Sequence, residues 1–388
     1  MHPLIVISGL GTGGAERSTA EFLPYLRNHG IAPTVACLHR SSEGVQDAIV
    51  SQGFDVRFLT GRSLVAKTSA LRKQIAELKP DLVHTTIFEA DIAGRLAAID
   101  GPPVLTSLVN VAYHPVRRQD PNIKIWRLSV ARIIEALSAR VLTSHFHAIS
   151  TAVKTSAISQ LGISAARITV IERGRDPTRL GTPSRQRRNQ ARRALGIAQD
   201  VRVLTTVGRQ EFQKGQKYLL IALQKIVRRH PNTILLLAGR QGHATEELKA
   251  TLKRSSVSHH VRVLGHRDDI PNLLACADVF VFPSLYEGLG GSIIEAMALG
   301  LPVVASDLPA IRELVRPEEN GLLVAPQSPD ELADAVATLL DMPEWASTLG
   351  RRGRRRFLDR FTAERSHQRL MDLYYHVRSS GRRGRFHA

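Results

Sequence analysis

The sequence predicts an α/β protein built from two doubly wound, parallel-sheet domains, and three observations carry that reading. Strand-like and helix-like hydrophobic periods alternate along most of the chain, the pattern of strand–helix–strand units whose sheet is covered on both faces. The alternation falls into two series, residues 4–150 and 203–305, divided by a Gly- and Arg-rich stretch at 172–193. At 388 residues the chain exceeds what one ordinary core supports and suits two Rossmann-like domains facing a cleft.

In the first series, residues 4–7 read as a strand and 15–29 as a helix, with further strands at 34–38, 55–59, 82–84, 104–108 and 147–150. The second series places strands at 203–207, 233–238, 262–265, 279–282 and 302–305. Residues 279–282 (Val-Phe-Val-Phe) are apolar without alternation, as a strand buried on both faces requires. A loop at 287–292 and a helix at 293–299, stopped by Gly300 and Pro302, follow it. The expected division is a first domain at 1–180, a basic linker at 181–193, a second domain at 194–361, and a closing helix with a basic tail at 362–388.

Cys37 and Cys276 stand far apart in apolar runs, which reads as two free, buried thiols in a reducing compartment. No export-signal pattern precedes the first strand, and no run approaches the ~18 apolar residues of a membrane helix. A cytoplasmic protein is expected. The formal net charge is +18, but residues 194–343 are slightly acidic. The excess lies in the first domain, the linker (Arg185, Arg187, Arg188, Arg192, Arg193) and the C-terminal segment (Arg351, Arg352, Arg354, Arg355, Arg356, Arg382, Arg383, Arg385). Segregated charge of this kind attracts polyanions, so peripheral binding at the inner, anionic membrane face is expected. Nucleic acid is the weaker partner, because aromatic residues are 5% of the chain and no zinc-finger or helix-turn-helix spacing accompanies the charge.

The most informative stretch is 283–306. Gly288, Gly290 and Gly291 precede a helix start flanked by Glu287 and Glu295. A glycine-rich helix start leaves backbone N–H groups and the positive dipole end free for an anion such as a diphosphate. Glu295 falls within an Ile-Ile-Glu-Ala-Met run, where a lone buried carboxylate would cost several kcal/mol, so a ligand diol is its expected partner. Arg209 and Lys214 bracket a loop before another helix start at Gly215. Two cations there oppose the dipole, and diphosphate ligation accounts for them better than helix support.

The run from Glu287 to Ser306 resembles the donor-site signature of retaining glycosyltransferase family 4, whose members have the two-domain GT-B fold. Other motifs appear in family order: Gly13-Gly14-Ala15-Glu16, Asp81-Leu82-Val83-His84, Gly208-Arg209 with Lys214-Gly215, and Asn320-Gly321-Leu322-Leu323-Val324. The resemblance implies transfer of a sugar from a nucleotide donor to a hydroxyl acceptor, lipid-linked or part of an envelope glycan, with retained anomeric configuration and no obligatory metal or other cofactor. It implies an acceptor-binding first domain, a donor-binding second domain, and a final helix returning to the first.

By the same resemblance, Arg209 and Lys214 neutralise the leaving diphosphate, Glu295 holds the ribose hydroxyls, and Glu287 meets the transferred sugar. Gly290, Gly291 and Ser292, with Gly288, face the phosphates; Gly239 and His266 shape the base pocket; Gly13 and Gly14 approach the donor phosphates. Glu16, His84 and Asn110 are the acceptor-side candidates. Many members carry His-Asn after the strand at 104–108; this chain has Val109-Asn110, and His114 is the candidate to replace that histidine as a catalytic group.

One alternative has a sequence basis. Gly9-x-Gly11-x-x-Gly14 follows a strand and precedes a helix, the setting of a dinucleotide fingerprint. The second strand ends in Leu38-His39-Arg40 without the acid that NAD ribose requires, which leaves an NADP-dependent oxidoreductase as the competing class.

Overall fold

A computed structural model describes residues 1–41 and 43–383 and divides the chain into two units. The first comprises Met1–Tyr113, Lys124–Arg173 and the chain from Ala363; the second comprises His114–Ile123 and Gly174–Thr362.

The first unit holds seven strands: β1 (Pro3–Ile7), β2 (Thr34–Cys37), β3 (Asp55–Phe58), β4 (Leu82–Thr86), β5 (Val104–Leu108), β6 (His145–Ala148) and β7 (Ile168–Val170). They pair in parallel in the order β3-β2-β1-β4-β5-β6-β7. Successive side chains of a strand point to opposite faces, so Ile5 and Ile7 of β1 enter one core with Phe22, Leu26 and Tyr374. Leu4 and Val6 enter the other, with Leu71, Ile75 and Ala93. The final helix, Ala363–Arg383, lies in this unit, where Tyr374 is fully buried and meets Phe22 edge-on at 5.6 Å.

The second unit holds β8 (Arg202–Val207), β9 (Thr233–Ala238), β10 (Val261–Gly265), β11 (Val279–Phe282), β12 (Val303–Ser306) and β13 (Leu322–Val324). Their order is β10-β9-β8-β11-β12-β13, again all parallel. Helices Gln216–Arg229 and Pro329–Asp341 cover one face through Leu219, Leu223, Val336 and Leu340.

The expected basic linker is largely a helix, Arg185–Ala194, inside the second unit. Ser184 Oγ caps it by accepting from Arg187 N. Arg192 is fully buried and donates to the carbonyls of Cys276, Ala198, Gln199 and Val201 and to Asp278. The guanidiniums of Arg187, Arg188 and Arg192 are spent on internal hydrogen bonds, whereas Arg185 and Arg193 are exposed. Cys37 and Cys276 are free and buried, and burial pushes the Cys276 thiol up to about 11. No described helix is long and apolar enough to cross a membrane. The side chains of Arg382, Arg383 and Arg385 lie outside the described residues.

Candidate functional site

In the second unit the chain runs outward from β8 through β9 to β10, then returns to place β11 on the other side of β8. In open α/β sheets, ligands bind beyond the carboxyl ends of the strands at such a reversal. The loops leaving β8 and β11 hold Arg209, Lys214 and residues 283–291, so the fold gathers the candidates at its switch point. The two loops are laced together. Leu285 N donates to Gln213 O at 2.8 Å, Gln213 Nε2 donates to Tyr286 O at 2.8 Å, and Ser292 Oγ donates to Val207 O at 3.2 Å. Gly215, the cap of the next helix, has φ +58, and a β-carbon there would lie 2.0 Å from Pro283 O. Only glycine permits that approach.

Helix Gly291–Ala298 starts from Gly290 at φ +99 without a side-chain cap, leaving its first N–H groups to other partners. Gly288, Leu289 and Gly290 are buried, whereas Gly291 and Ser292 are partly accessible. Glu295, 8% exposed, accepts from Arg175 Nε at 2.9 Å. This corrects the expectation that a ligand supplies its first partner. Arg175 is itself buried, donates to Gly174 O at 3.0 Å, and brings Nη2 within 2.6 Å of where a β-carbon on Gly291 would sit. A guanidinium therefore stands beside the glycine helix start. The sequence reading missed it, because residues 172–193 were assigned to the divider between domains.

Lys214 Nζ lies 2.5 Å from Glu287 Oε1 and 5.1 Å from the centre of the Phe282 ring. The lysine charge that opposes its helix dipole is thus balanced by the buried Glu287. Arg209 is exposed and forms no ion pair among the described residues. Tyr286 stacks on His114, with ring centres 5.7 Å apart and planes 15° apart, which brings His114 beside the Glu287 loop. Burial lowers the His114 pKa, and its Nδ1 accepts from Val116 N at 3.4 Å. Gly239 N donates to Gly265 O at 2.7 Å at the ends of β9 and β10, and His266 pairs with Asp268 at 3.3 Å.

In the first unit the order reverses between β1 and β4. Gly13 caps helix Gly14–Asn28, and Glu16 folds back over it, its Oε2 lying 2.3 Å from a β-carbon built on Gly13. Arg173 Nη1 lies 3.2 Å from the equivalent point on Gly14. A carboxylate over the cap repels the diphosphate that a dinucleotide fold would seat there, and Arg40 lies over the Phe58 ring at 4.1 Å. Both contacts disfavour the NADP reading. Asn110 is exposed in the loop after β5.

His84 is not an acceptor residue. It is buried, with Nδ1 2.6 Å from Tyr374 Oη and Nε2 2.7 Å from Ser107 Oγ. Burial, reinforced by the neighbouring His147, takes its pKa down to about 3. Both ring nitrogens are occupied inside the core. Among the described residues, no group of three His, Cys, Asp or Glu side chains is placed to hold a metal ion.

Comparison with known proteins agrees with the fold. The family described as Glycosyltransferase Family 4 matches residues 12–179, and that described as Glycosyl transferases group 1 matches residues 187–356. The UDP-Gal:alpha-D-GlcNAc-diphosphoundecaprenol alpha-1,3-galactosyltransferase of Escherichia coli is 27% identical over 81% of this chain and 79% of its own length. The D-inositol 3-phosphate glycosyltransferase of Corynebacterium urealyticum is 32% identical over 54% of this chain, which spans about half of that relative, 51%. Anabaena Alr3699/HepE, solved in complex with UDP-glucose, superposes with a TM-score of 0.85 at 24% identity, covering 96% of this chain and 99% of its own.

Proposed function

Because the chain belongs to the GT-B glycosyltransferases of group 1 and family 4, we propose that it moves a hexose from a UDP-linked donor to a hydroxyl of a lipid-linked acceptor. The transfer retains the anomeric configuration and needs no divalent metal. The observation that carries the reading is two ion pairs flanking one glycine-rich helix start, the buried Arg175–Glu295 and the partly buried Lys214–Glu287. Support for UDP and for a diphosphate-lipid acceptor comes from the similarity to the E. coli enzyme.

Backbone N–H groups at Gly288, Gly290, Gly291 and Ser292 receive the diphosphate, aided by the helix dipole. Arg209 and Lys214 offset the negative charge that grows on the leaving UDP, which is where preorganised electrostatics contribute most. Glu295 accepts from the ribose hydroxyls, since one bond from Arg175 leaves acceptor capacity on a carboxylate. Glu287 and the neutral His114 ring address the sugar hydroxyls, and Gly239 and His266 border the base. The bond from the anomeric carbon to the phosphate oxygen breaks, the acceptor oxygen bonds from the same face, and a donor phosphate oxygen takes its proton. Glu16 and Asn110 remain the first-unit candidates for acceptor contact, whereas the Glu16 carboxylate folded over the cap keeps a phosphate away from Gly13 and Gly14. Such an acceptor implies work at the inner membrane face.

A panel of UDP-hexoses with a diphosphate-lipid-linked sugar, run in EDTA, tests this. Turnover is expected without metal and with the α linkage preserved from donor to product. An inverted product would overturn retention, and activity that chelation abolishes and Mn²⁺ restores would overturn metal independence.

A further inference from the structure

The helix Ile125–Leu142 presents its apolar side outward. Its inner side is Glu135, Ala136 and Ala139. On the opposite side Trp126, Val130, Ile133, Ile134, Leu137 and Val141 are 45–78% exposed. Their spacing of 4, 3, 1, 3 and 4 keeps them on one stripe of an α-helix, and eighteen residues extend it for about 27 Å at the usual rise. A lone surface leucine needs no explanation, whereas a continuous apolar stripe marks an interaction surface.

Charge selects the partner. Arg127 and Arg140 are exposed on either border of the stripe, Arg127 lying over the Trp126 ring at 5.3 Å and Arg140 donating from Nε to Leu161 O. The helix's single acid, Glu135, is buried against Tyr113 Oη at 2.5 Å. An apolar face with a tryptophan, flanked by cations and lacking exposed acids, suits a helix lying in the plane of an anionic bilayer surface. A second copy of the chain packed on this stripe would set like cations against one another. Resting on the membrane-bound acceptor proposed above, we infer that the Ile125–Leu142 helix, rather than the C-terminal arginines, docks the enzyme on anionic lipid.

The test is co-sedimentation with vesicles of phosphatidylglycerol and phosphatidylcholine, or of phosphatidylcholine alone, for three proteins. These are the unaltered chain, a Trp126→Ser/Ile133→Ser/Leu137→Ser/Val141→Ser variant, and an Arg351→Ser/Arg352→Ser/Arg355→Ser variant. Turnover on a detergent-free, short-chain acceptor confirms that each is folded. The stripe variant is expected to lose binding to anionic vesicles by about a hundredfold or more while keeping that turnover, and the arginine variant to stay within about threefold of the unaltered chain. Stripe-variant binding equal to that of the unaltered chain overturns the inference and leaves the membrane reading standing. Absence of vesicle binding by the unaltered chain overturns both. A dimer in sedimentation velocity that the stripe variant converts to monomer, without lipid binding, assigns the stripe to a second copy instead.

Discussion

Arg175→Ala tests whether the site is assembled around Glu295 by a cation from its own unit. The substitution leaves a carboxylate that is 8% exposed without the guanidinium now 2.9 Å away. Removing one member of a buried pair typically costs ~3–5 kcal/mol, because the remaining charge stays desolvated. In a unit of this size each kcal/mol moves the midpoint by roughly 2–4 °C, so a fall of about 6–20 °C is expected. Trp345 is the second unit's tryptophan and packs on its core, so its fluorescence in a Trp126→Phe background reports this unit alone. The Arg175→Ala/Glu295→Leu double variant removes both charges and should recover most of the loss. Additive losses, or a shift under about 2 °C for Arg175→Ala, would show that the pair does not hold the site. UDP affinity, by calorimetry, should drop in Arg175→Ala and in Glu295→Gln, the latter by ~1–3 kcal/mol for a lost charged hydrogen bond.

Glu287→Gln should leave UDP binding unchanged and reduce sugar transfer, whereas Lys214→Ala should lower kcat more than donor affinity. Equal losses of UDP and UDP-hexose affinity in the Glu287 variant would refute that division. Gly291→Ala puts a methyl 2.6 Å from Arg175 Nη2 and should weaken UDP binding, with little effect if Arg175 moves aside freely. His84 and His147 are buried, with pKa values near about 3 and about 4, below the ~6.5 of an unfolded chain. The native state therefore binds fewer protons, and stability is complete above pH ~6.5 and is lost as pH falls toward 4, by at most ~1.4 kcal/mol per pH unit per histidine. Denaturation followed by far-UV circular dichroism should show this slope, and a free energy that is flat from pH 7 to 5 would reject it.

The two sheets and the donor loops were legible because their determinants are local. Apolar runs mark buried strands, and glycines at 215, 239 and 290, all at positive φ, mark turns that other residues adopt only with strain. β7 and β13, three residues each, are too short for periodicity to register. His84 was misread for a different reason. A polar residue near the end of a strand looks exposed in sequence, yet Tyr374 comes from 290 residues away to engage it. Arg175 was illegible for the same cause, its partner lying 120 residues further on. The sequence shows that Glu295 requires a partner and suggests a diol; the fold supplies the Arg175 cation.

Charge shows the same division between what a sequence states and what a fold spends. The arginine-rich segments suggested a polyanion surface, yet Arg188 and Arg192 bond to Asp278 and to backbone carbonyls, and Arg354 and Arg356 donate to the carbonyls of Ala298, Glu313 and Leu314. A guanidinium carries five donors and satisfies several carbonyls at once, so density along the chain overstates the charge presented to a partner. The Ile125–Leu142 helix errs in the opposite sense. It contains enough apolar residues to pass for a core helix, but its alanines, which permit close approach, sit on the inner face and its larger residues point outward. A helix built to fill a core would carry its bulk inward, so this inverted order of residue sizes is the observation on which the docking proposal rests.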